Sequence, residues 1–262
     1  MYFVGVDLAW AGRRPTGVAV VDADGALLGV GATRDDADVL AALWPYVQGD
    51  CVVAFDAPLV VANAGGQRPA ETALNRDFRR FEAGAHPANT GRPEFAQGSR
   101  GAHLARALDL DLNPFSSATR RAIEVYPHPA TVVLFRLART LKYKAKPGRD
   151  VHQLKSELLR LMDGVEGLAH GSVPLHVANL DAWVELRRQV VTARRKSDLR
   201  RAEDPVDAVV CAYVALYAER RPSDVTIYGD IATGYVVTPT LPTDLLPVRP
   251  APAADRPVRA RR

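Results

Sequence analysis

The sequence predicts an α/β fold: a mixed sheet whose first three strands are antiparallel, flanked by helices. Three segments rich in β-branched and aromatic residues come first, over 2–9, 17–21 and 26–32. Asp24 and Gly25 between the second and third are typical of a hairpin turn. Residues 35–48 carry a helical apolar stripe, and 51–56 form the continuous apolar run of a buried central strand. The chain therefore opens in the order β-β-β-α-β.

The rest of the chain predicts helical elaborations around that sheet. Further helices are expected over 71–83, 102–112, 131–141, 151–163, 179–193 and 204–219, and further strands over 122–126, 225–228 and 234–237. We expect one domain over 1–240, with helical insertions at about 60–120 and 140–200. Residues 241–262 form a tail rich in Pro, Ala and Arg, a composition that predicts disorder.

Composition excludes several classes of protein. The chain has 262 residues, 47 % apolar and 24 % charged, which is ordinary for a globular protein and not for a disordered chain or a coiled-coil rod. No apolar run approaches the roughly 18–20 residues that span a bilayer, so no membrane partner is expected. The start of the chain carries an acid and no basic segment, unlike a signal peptide. Two cysteines make no disulfide framework, which favours a cytoplasmic location.

The net charge is concentrated at one end. The formal charge is +4, and residues 249–262 contain five arginines and one acid, so residues 1–248 are neutral overall. Any nucleic-acid surface on the body of the protein must therefore be a local patch.

Four aspartates are placed where carboxylates are unusual. Asp7 interrupts an apolar strand, and Asp56 ends another. Asp204 and Asp207 are three apart, on one face of an apolar helix that they are predicted to open. A buried carboxylate is costly unless something pairs with it, and Mg²⁺ favours carboxylate oxygens. Ligands also collect at the carboxyl ends of strands.

Each aspartate also has a structural interpretation. The alternative for Asp7 is a hydrogen-bonded polar position at a strand end, and for Asp56 a turn before Ala-Pro. The Asp-Pro pair at 204–205 is typical of a helix N-cap followed by its first residue, and Asp207 would then complement the helix dipole.

Glu124 and His128 are two further candidates. Glu124, on a predicted strand, is a fifth candidate acid, with an ion pair to a nearby arginine as the alternative. His128, between two prolines, is either a proton-transfer residue or a hydrogen-bonded imidazole in a rigid turn.

A basic loop over 142–149 is the candidate nucleic-acid contact. Its candidate residues are Lys142, Tyr143, Lys144, Lys146 and Arg149. The tyrosine among these cations suggests stacking on a base, whereas the structural alternative is a solvated charged surface.

Several motifs in series resemble one family. They are GVDLAW, AFDAPL, EVYPHPATVVLF, LKYKAK, DPVDAVVCAYVA and GDIATGYVVTP. Over residues 1 to about 240 the chain resembles an uncharacterised domain family of predicted nucleases with a ribonuclease-H-like, RuvC-like fold.

The resemblance implies metal-dependent hydrolysis of nucleic-acid phosphodiester bonds by a two-metal mechanism with Mg²⁺ or Mn²⁺. Asp7 would bridge the two ions, and Asp56, Asp204 and Asp207 would complete the ligands. The second acid of this superfamily is often Glu, so the shorter Asp56 leaves room for water or for another acid such as Glu124.

Two other classes of function stay open. ATP-dependent phosphotransferases of the actin–hexokinase type share this fold, but they normally carry two copies of the domain and Gly-rich phosphate loops. A non-catalytic nucleic-acid-binding module is the other alternative.

Overall fold

A five-stranded mixed sheet forms the centre of the protein. The computed structural model describes residues 1–10 and 15–245. The strands are β1 (Tyr2–Asp7), β2 (Thr16–Asp22), β3 (Leu27–Thr33), β4 (Cys51–Phe55) and β5 (Arg120–Glu124). Their spatial order is β3-β2-β1-β4-β5. The first three strands pair antiparallel, and β4 and β5 continue parallel to β1. The predicted mixed sheet with three antiparallel first strands is confirmed.

Helices flank this sheet. They are α1 (Asp36–Leu43), α2 (Pro69–Phe78), α3 (Arg100–Ala107), α4 (Pro127–Leu134), α5 (Val151–Gly167), α6 (Asp181–Thr192) and α7 (Lys196–Arg220). The long helix α7 crosses β1, β2 and β4, and α5 and α6 pack against it. Among the described residues, no helix is long and apolar enough to cross a membrane.

A separate antiparallel hairpin completes the architecture. It consists of β6 (Val225–Asp230) and β7 (Gly234–Pro239), and it packs against α2. A single bridge between Val125 and Val237 connects it to the end of β5.

Two glycines bring α7 unusually close to the sheet. A Cβ atom on Gly5 would lie 1.9 Å from the carbonyl oxygen of Ala208, and one on Gly17 would lie 2.0 Å from that of Asp204. Both distances are far below van der Waals contact, so only glycine permits this approach. The part of α7 that carries the paired aspartates therefore rests directly on β1 and β2.

The start of α7 differs from the prediction. The helix begins at Lys196, where Asp198 in its first turn accepts a hydrogen bond from the backbone N–H of Arg195 at 2.9 Å. Asp204 and Pro205 lie well inside the helix, so the capping interpretation of the Asp-Pro pair is wrong. A proline there has no N–H to donate to the carbonyl oxygen of Arg201, four residues earlier.

Two other predictions need correction or qualification. Pro127 begins α4, with Tyr126 as its N-cap, so the predicted rigid turn at 127–129 is the first turn of a helix. Of the predicted tail over 241–262, residues 241–245 are described, and the carbonyl oxygen of Leu245 accepts a hydrogen bond from Arg80 at 2.7 Å. Residues 246–262 lie outside the described residues.

Candidate functional site

Asp7 and Asp56 lie side by side at the carboxyl ends of two parallel strands. The register pairs Val6 with Phe55, which places the two aspartates at the next position of neighbouring strands. The backbone N–H of Asp56 donates to the carbonyl oxygen of Val6 at 2.8 Å and continues the pairing. Adjacent strands are about 4.8 Å apart, so both carboxylates leave the same face of the sheet within reach of one ligand. Asp7 is buried and Asp56 is half-buried.

Asp204 and Asp207 reach the same place from α7. They are three residues apart and therefore share one face of the helix. That face lies on β1 and β2 because of the glycines at positions 5 and 17. Asp207 is 1 % exposed, and its Oδ1 accepts a hydrogen bond from the hydroxyl of Tyr143 at 2.6 Å. We call Asp7, Asp56, Asp204 and Asp207 the aspartate cluster.

Lys144 is the cation of the aspartate cluster. Its Nζ lies 2.5 Å from Oδ2 of Asp207, 3.2 Å from Oδ2 of Asp7 and 3.6 Å from Oδ1 of Asp204. The loop between α4 and α5 holds this lysine in place, since Arg149 donates to the carbonyl oxygen of Lys144 at 2.8 Å. One ammonium group thus faces several carboxylates.

Burial and mutual repulsion make these carboxylates hard to ionise. Burial raises the pKa of Asp56 to about 7; Lys144 opposes that shift, and Asp207, Glu124 and Asp204 add to it. For the same first reason, burial, the pKa values of Asp7 and Asp204 are raised, again against the attraction of Lys144.

The lysine experiences the opposite balance. Burial lowers the pKa of Lys144, but the attraction of Asp207 and Asp7 outweighs burial, and the pKa stands well above its usual value. The ammonium is therefore charged at every physiological pH.

The donor set fits a hard divalent cation. All four side chains offer carboxylate oxygens, the ligands that Mg²⁺ and Mn²⁺ favour. Oδ2 of Asp207 is buried and accepts no hydrogen bond of ordinary geometry from the described residues, although the ammonium of Lys144 lies close to it. In the described part of the chain, no group of three or more His, Cys, Asp or Glu is arranged to hold a metal ion. As the side chains stand, three of the carboxylates close around the ammonium instead.

Glu124 belongs to a neighbouring ion network. Its two oxygens accept hydrogen bonds from Arg68 at 2.9 and 2.5 Å, and the backbone N–H of Leu59 donates to it at 2.9 Å. Glu71 accepts from the same guanidinium at 2.9 Å. This is the arginine partnership left open as the alternative for Glu124, whose part in catalysis stays a prediction. A cavity of about 50 Å³ lies between this network and the aspartate cluster, since both Glu124 and Asp56 line it.

The residues of the basic loop differ in their burial and in their contacts. Tyr143 is 1 % exposed, so the expected stacking of this ring on a base is wrong. Lys142 pairs with Glu82 at 2.5 Å, and Arg149 holds the loop through backbone carbonyls. Lys146 is exposed. Contact of Lys142, Lys146 and Arg149 with nucleic acid stays a prediction.

His128 matches one of its two interpretations. Its Nδ1 lies 3.1 Å from the hydroxyl of Thr140, and burial lowers its pKa to about 4. It is a half-buried, hydrogen-bonded imidazole in the first turn of α4.

Sequence reasoning missed two residues of this site. The sequence predicts Lys144 only as a contact for nucleic acid, although an acidic cluster on apolar elements requires a counterion. The motifs of the sequence do not include Glu203, which is buried. Its Oε1 has no hydrogen-bond partner among the described residues, and burial raises its pKa to about 7. No pattern in the sequence separates Glu203 from the charged stretch before it.

The comparison with family models gives one match. A family described as a protein of unknown function, DUF429, matches residues 5–232. The chain belongs to the DUF429 family. The matched region runs from β1 to the turn between β6 and β7 and includes the whole aspartate cluster and Lys144. The searches of curated proteins and of solved structures found no match.

Proposed function

We propose that this DUF429 protein is a metal-dependent nuclease with a ribonuclease-H-like, RuvC-like fold, which hydrolyses nucleic-acid phosphodiester bonds with Mg²⁺ or Mn²⁺. The observation that carries the proposal is the convergence of four aspartates from β1, β4 and α7 at the carboxyl edge of the sheet, where three of them pair with the ammonium of Lys144. The three antiparallel first strands, the parallel β4 and β5, and the acidic helix packed on β1 support this fold.

The chain's own residues supply a rigid acidic centre. Asp7 and Asp56 are fixed by strand pairing, and the close packing on Gly5 and Gly17 fixes the face of α7. The hydroxyl of Tyr143 orients Asp207 through a hydrogen bond. A divalent cation bound there would lower the pKa of its water and neutralise charge on a phosphate. Carboxylates held in place by strand ends and a helix are suited to holding such an ion.

The experiment is a cleavage assay on the purified full chain with single- and double-stranded DNA and RNA. We expect cleavage with Mg²⁺ or Mn²⁺, none with Ca²⁺ and none in excess chelator. Asp7→Asn should abolish cleavage while the protein still folds. Asp24→Asn, at an exposed position of the β2–β3 turn, is the matched control and should cleave like wild type.

Three outcomes would contradict the proposal. Full cleavage in excess chelator, or by Asp7→Asn, would remove the aspartate cluster from the chemistry. Hydrolysis of ATP without nucleic acid would instead favour the actin–hexokinase alternative. The described residues form one five-stranded sheet and not the two copies that this alternative normally requires.

A further inference from the structure

The ammonium of Lys144 lies on one side of the aspartate cluster. Among the described residues its ion pairs are with Asp7, Asp204 and Asp207, two of which come from α7. Asp56, at the end of the neighbouring strand β4, is not one of them. Within the described residues neither oxygen of Asp56 accepts a hydrogen bond, and this residue is half-buried. We call the part of the cluster on α7, where Lys144 pairs with Asp204 and Asp207, the occupied side; the ends of β1 and β4 form its other side.

Lys144 is fixed on the occupied side. The preceding residue, Tyr143, is buried and donates to Asp207, the same carboxylate that pairs most closely with Lys144. Arg149 donates to the carbonyl oxygen of Lys144 from further along the loop. The hydrogen bonds of Tyr143 and Arg149 thus hold the loop in place around Lys144.

A divalent ion and this ammonium exclude each other on the occupied side. Mg²⁺ binds carboxylate oxygens at about 2.0–2.1 Å. The ammonium lies 2.5 Å from one oxygen of Asp207. An ion on that oxygen could lie no farther from Nζ than the sum of these two distances, about 4.6 Å, where two positive charges repel. A lysine is a compact point charge with three donors, which suits a position among three carboxylates.

We propose that Lys144 supplies the positive charge on the α7 side, and that the aspartate cluster binds one divalent cation, held by Asp7 and Asp56, instead of two. This inference rests on the proposed function, since it presumes that the cluster binds a metal ion. Asp204 and Asp207 then act as positioning residues for the lysine and do not ligate the ion. The two-metal arrangement that the resemblance implies is replaced by one metal ion and one ammonium.

The first test counts bound ions. The metal-free full chain is titrated with Mn²⁺ alone. Binding is followed by calorimetry and by the loss of the electron paramagnetic resonance signal of free Mn²⁺. We expect one Mn²⁺ per chain in wild type and two in Lys144→Met, because removing the ammonium frees the α7 side. Lys146→Met, which changes an exposed lysine of the same loop, should still bind one.

The second test does not depend on the folding of Lys144→Met. Asp56→Asn should weaken Mn²⁺ binding by about 100-fold, since even loss of a residue that only supports a ligand costs 10–100-fold. Asp204→Asn should weaken it by less than about 3-fold, because only a charge at a distance is removed. Equal losses in these two variants would overturn the inference.

The count in wild type separates the two proposals. Two Mn²⁺ per wild-type chain, or a count unchanged by Lys144→Met in a folded variant, would overturn the inference and leave the proposed nuclease intact. No Mn²⁺ binding by wild type at millimolar concentration would overturn the proposed function itself, and this inference with it.

Discussion

Two buried groups of charged residues lie side by side near the carboxyl edge of the sheet, and they are built in opposite ways. The arginine cluster consists of Arg68, Glu71 and Glu124. Its guanidinium is 1 % exposed and donates to both glutamates, and the N–H groups of Leu59 and Ala88 donate to the same carboxylates. The aspartate cluster has four carboxylates for one ammonium, and an oxygen of Asp207 is left without an ordinary hydrogen bond.

The difference separates a structural network from a binding site. In the arginine cluster the attraction of Glu124 and Glu71 outweighs burial and raises the pKa of Arg68, so the guanidinium stays charged and paired. In both clusters burial raises the pKa of carboxylates and attraction raises that of the cation. The clusters differ in hydrogen bonding, because Glu124 accepts three hydrogen bonds whereas Oδ2 of Asp207 accepts none of ordinary geometry among the described residues. Buried polar groups are normally satisfied, and clusters that depart from this rule are typical of functional sites.

The largest effect on stability is expected in the arginine cluster. Arg68→Met leaves two buried carboxylates without their counterion and should lower the free energy of unfolding by about 3–5 kcal/mol. Urea unfolding of the variant against wild type measures this loss. Arg106→Met, on the exposed face of α3, is the control and should stay close to wild type. A loss under about 1 kcal/mol for Arg68→Met would mean that the network is not structural.

The second effect concerns the bond that orients the aspartate cluster. Tyr143→Phe removes the hydroxyl that donates to Asp207 at 2.6 Å and keeps the buried ring. Hydrogen bonds to charged groups contribute about 1.5–3 kcal/mol, so the free energy of unfolding should fall by that amount. Tyr46→Phe is the matched control, since Tyr46 is half-buried and its hydroxyl makes no hydrogen bond among the described residues. Equal unfolding curves for wild type and Tyr143→Phe would contradict the role given to this hydroxyl.

The sheet was predictable from the sequence, but the distant partners in the two clusters were not. Strands β1 to β4 follow from local signals: β-branched segments, a hairpin turn and an apolar run ended by Asp56 and proline. The position of Asp7 and Asp56 at neighbouring strand ends follows from the same signals. Lys144, in contrast, lies 137 residues from Asp7 in the chain, and Arg68 lies 56 residues from Glu124. Ion pairs over such separations leave no local pattern.

The misplaced start of α7 has a different cause. Asp-Pro is a strong local signal for the beginning of a helix, but an earlier cap at Arg195 and Asp198 competes with it and prevails. The backbone of Asp204 and Pro205 packs closely on Gly17, so this part of the helix is held against the sheet although the proline removes a helical hydrogen bond. Tertiary contact overrides a local preference there, and a single sequence does not reveal which of two caps is used.

A smaller effect depends on pH and concerns Asp56. Its pKa is about 7 in the folded protein against a usual value of 3.8, so the folded state holds its proton longer than the unfolded state. Stability from this group is therefore present below pH 3.8 and is lost as the pH rises from about 4 to about 7. Asp56→Asn has no such proton to lose, and metal-free Asp56→Asn should be more stable than wild type at pH 8 and equal to it near pH 4.

The size of that difference follows from the pKa. Each pKa unit corresponds to about 1.4 kcal/mol, and partial exposure of Asp56 to solvent reduces the gain to about 1–2 kcal/mol. Unfolding by urea at several pH values in chelator measures it. The lowered pKa of His128 acts in the opposite direction at acidic pH, but equally in both proteins, so it cancels in the difference. A gain that is the same at pH 4 and pH 8 would show that ionisation of Asp56 is not its source.

The smallest effect compares two aspartates of α7 that differ in position. Asp198→Ala removes the acceptor for the N–H of Arg195 at the start of the helix and should cost about 1 kcal/mol. Asp204→Ala lies inside the helix, where alanine favours the helical state by a few tenths of a kcal/mol. It also loses a half-exposed ion pair worth at most about 1 kcal/mol and relieves repulsion from neighbouring carboxylates. These terms nearly cancel, so metal-free Asp204→Ala should unfold within about 0.5 kcal/mol of wild type. If Asp204→Ala costs as much as Asp198→Ala in chelator, Asp204 stabilises the helix itself, and its membership of the aspartate cluster loses its support.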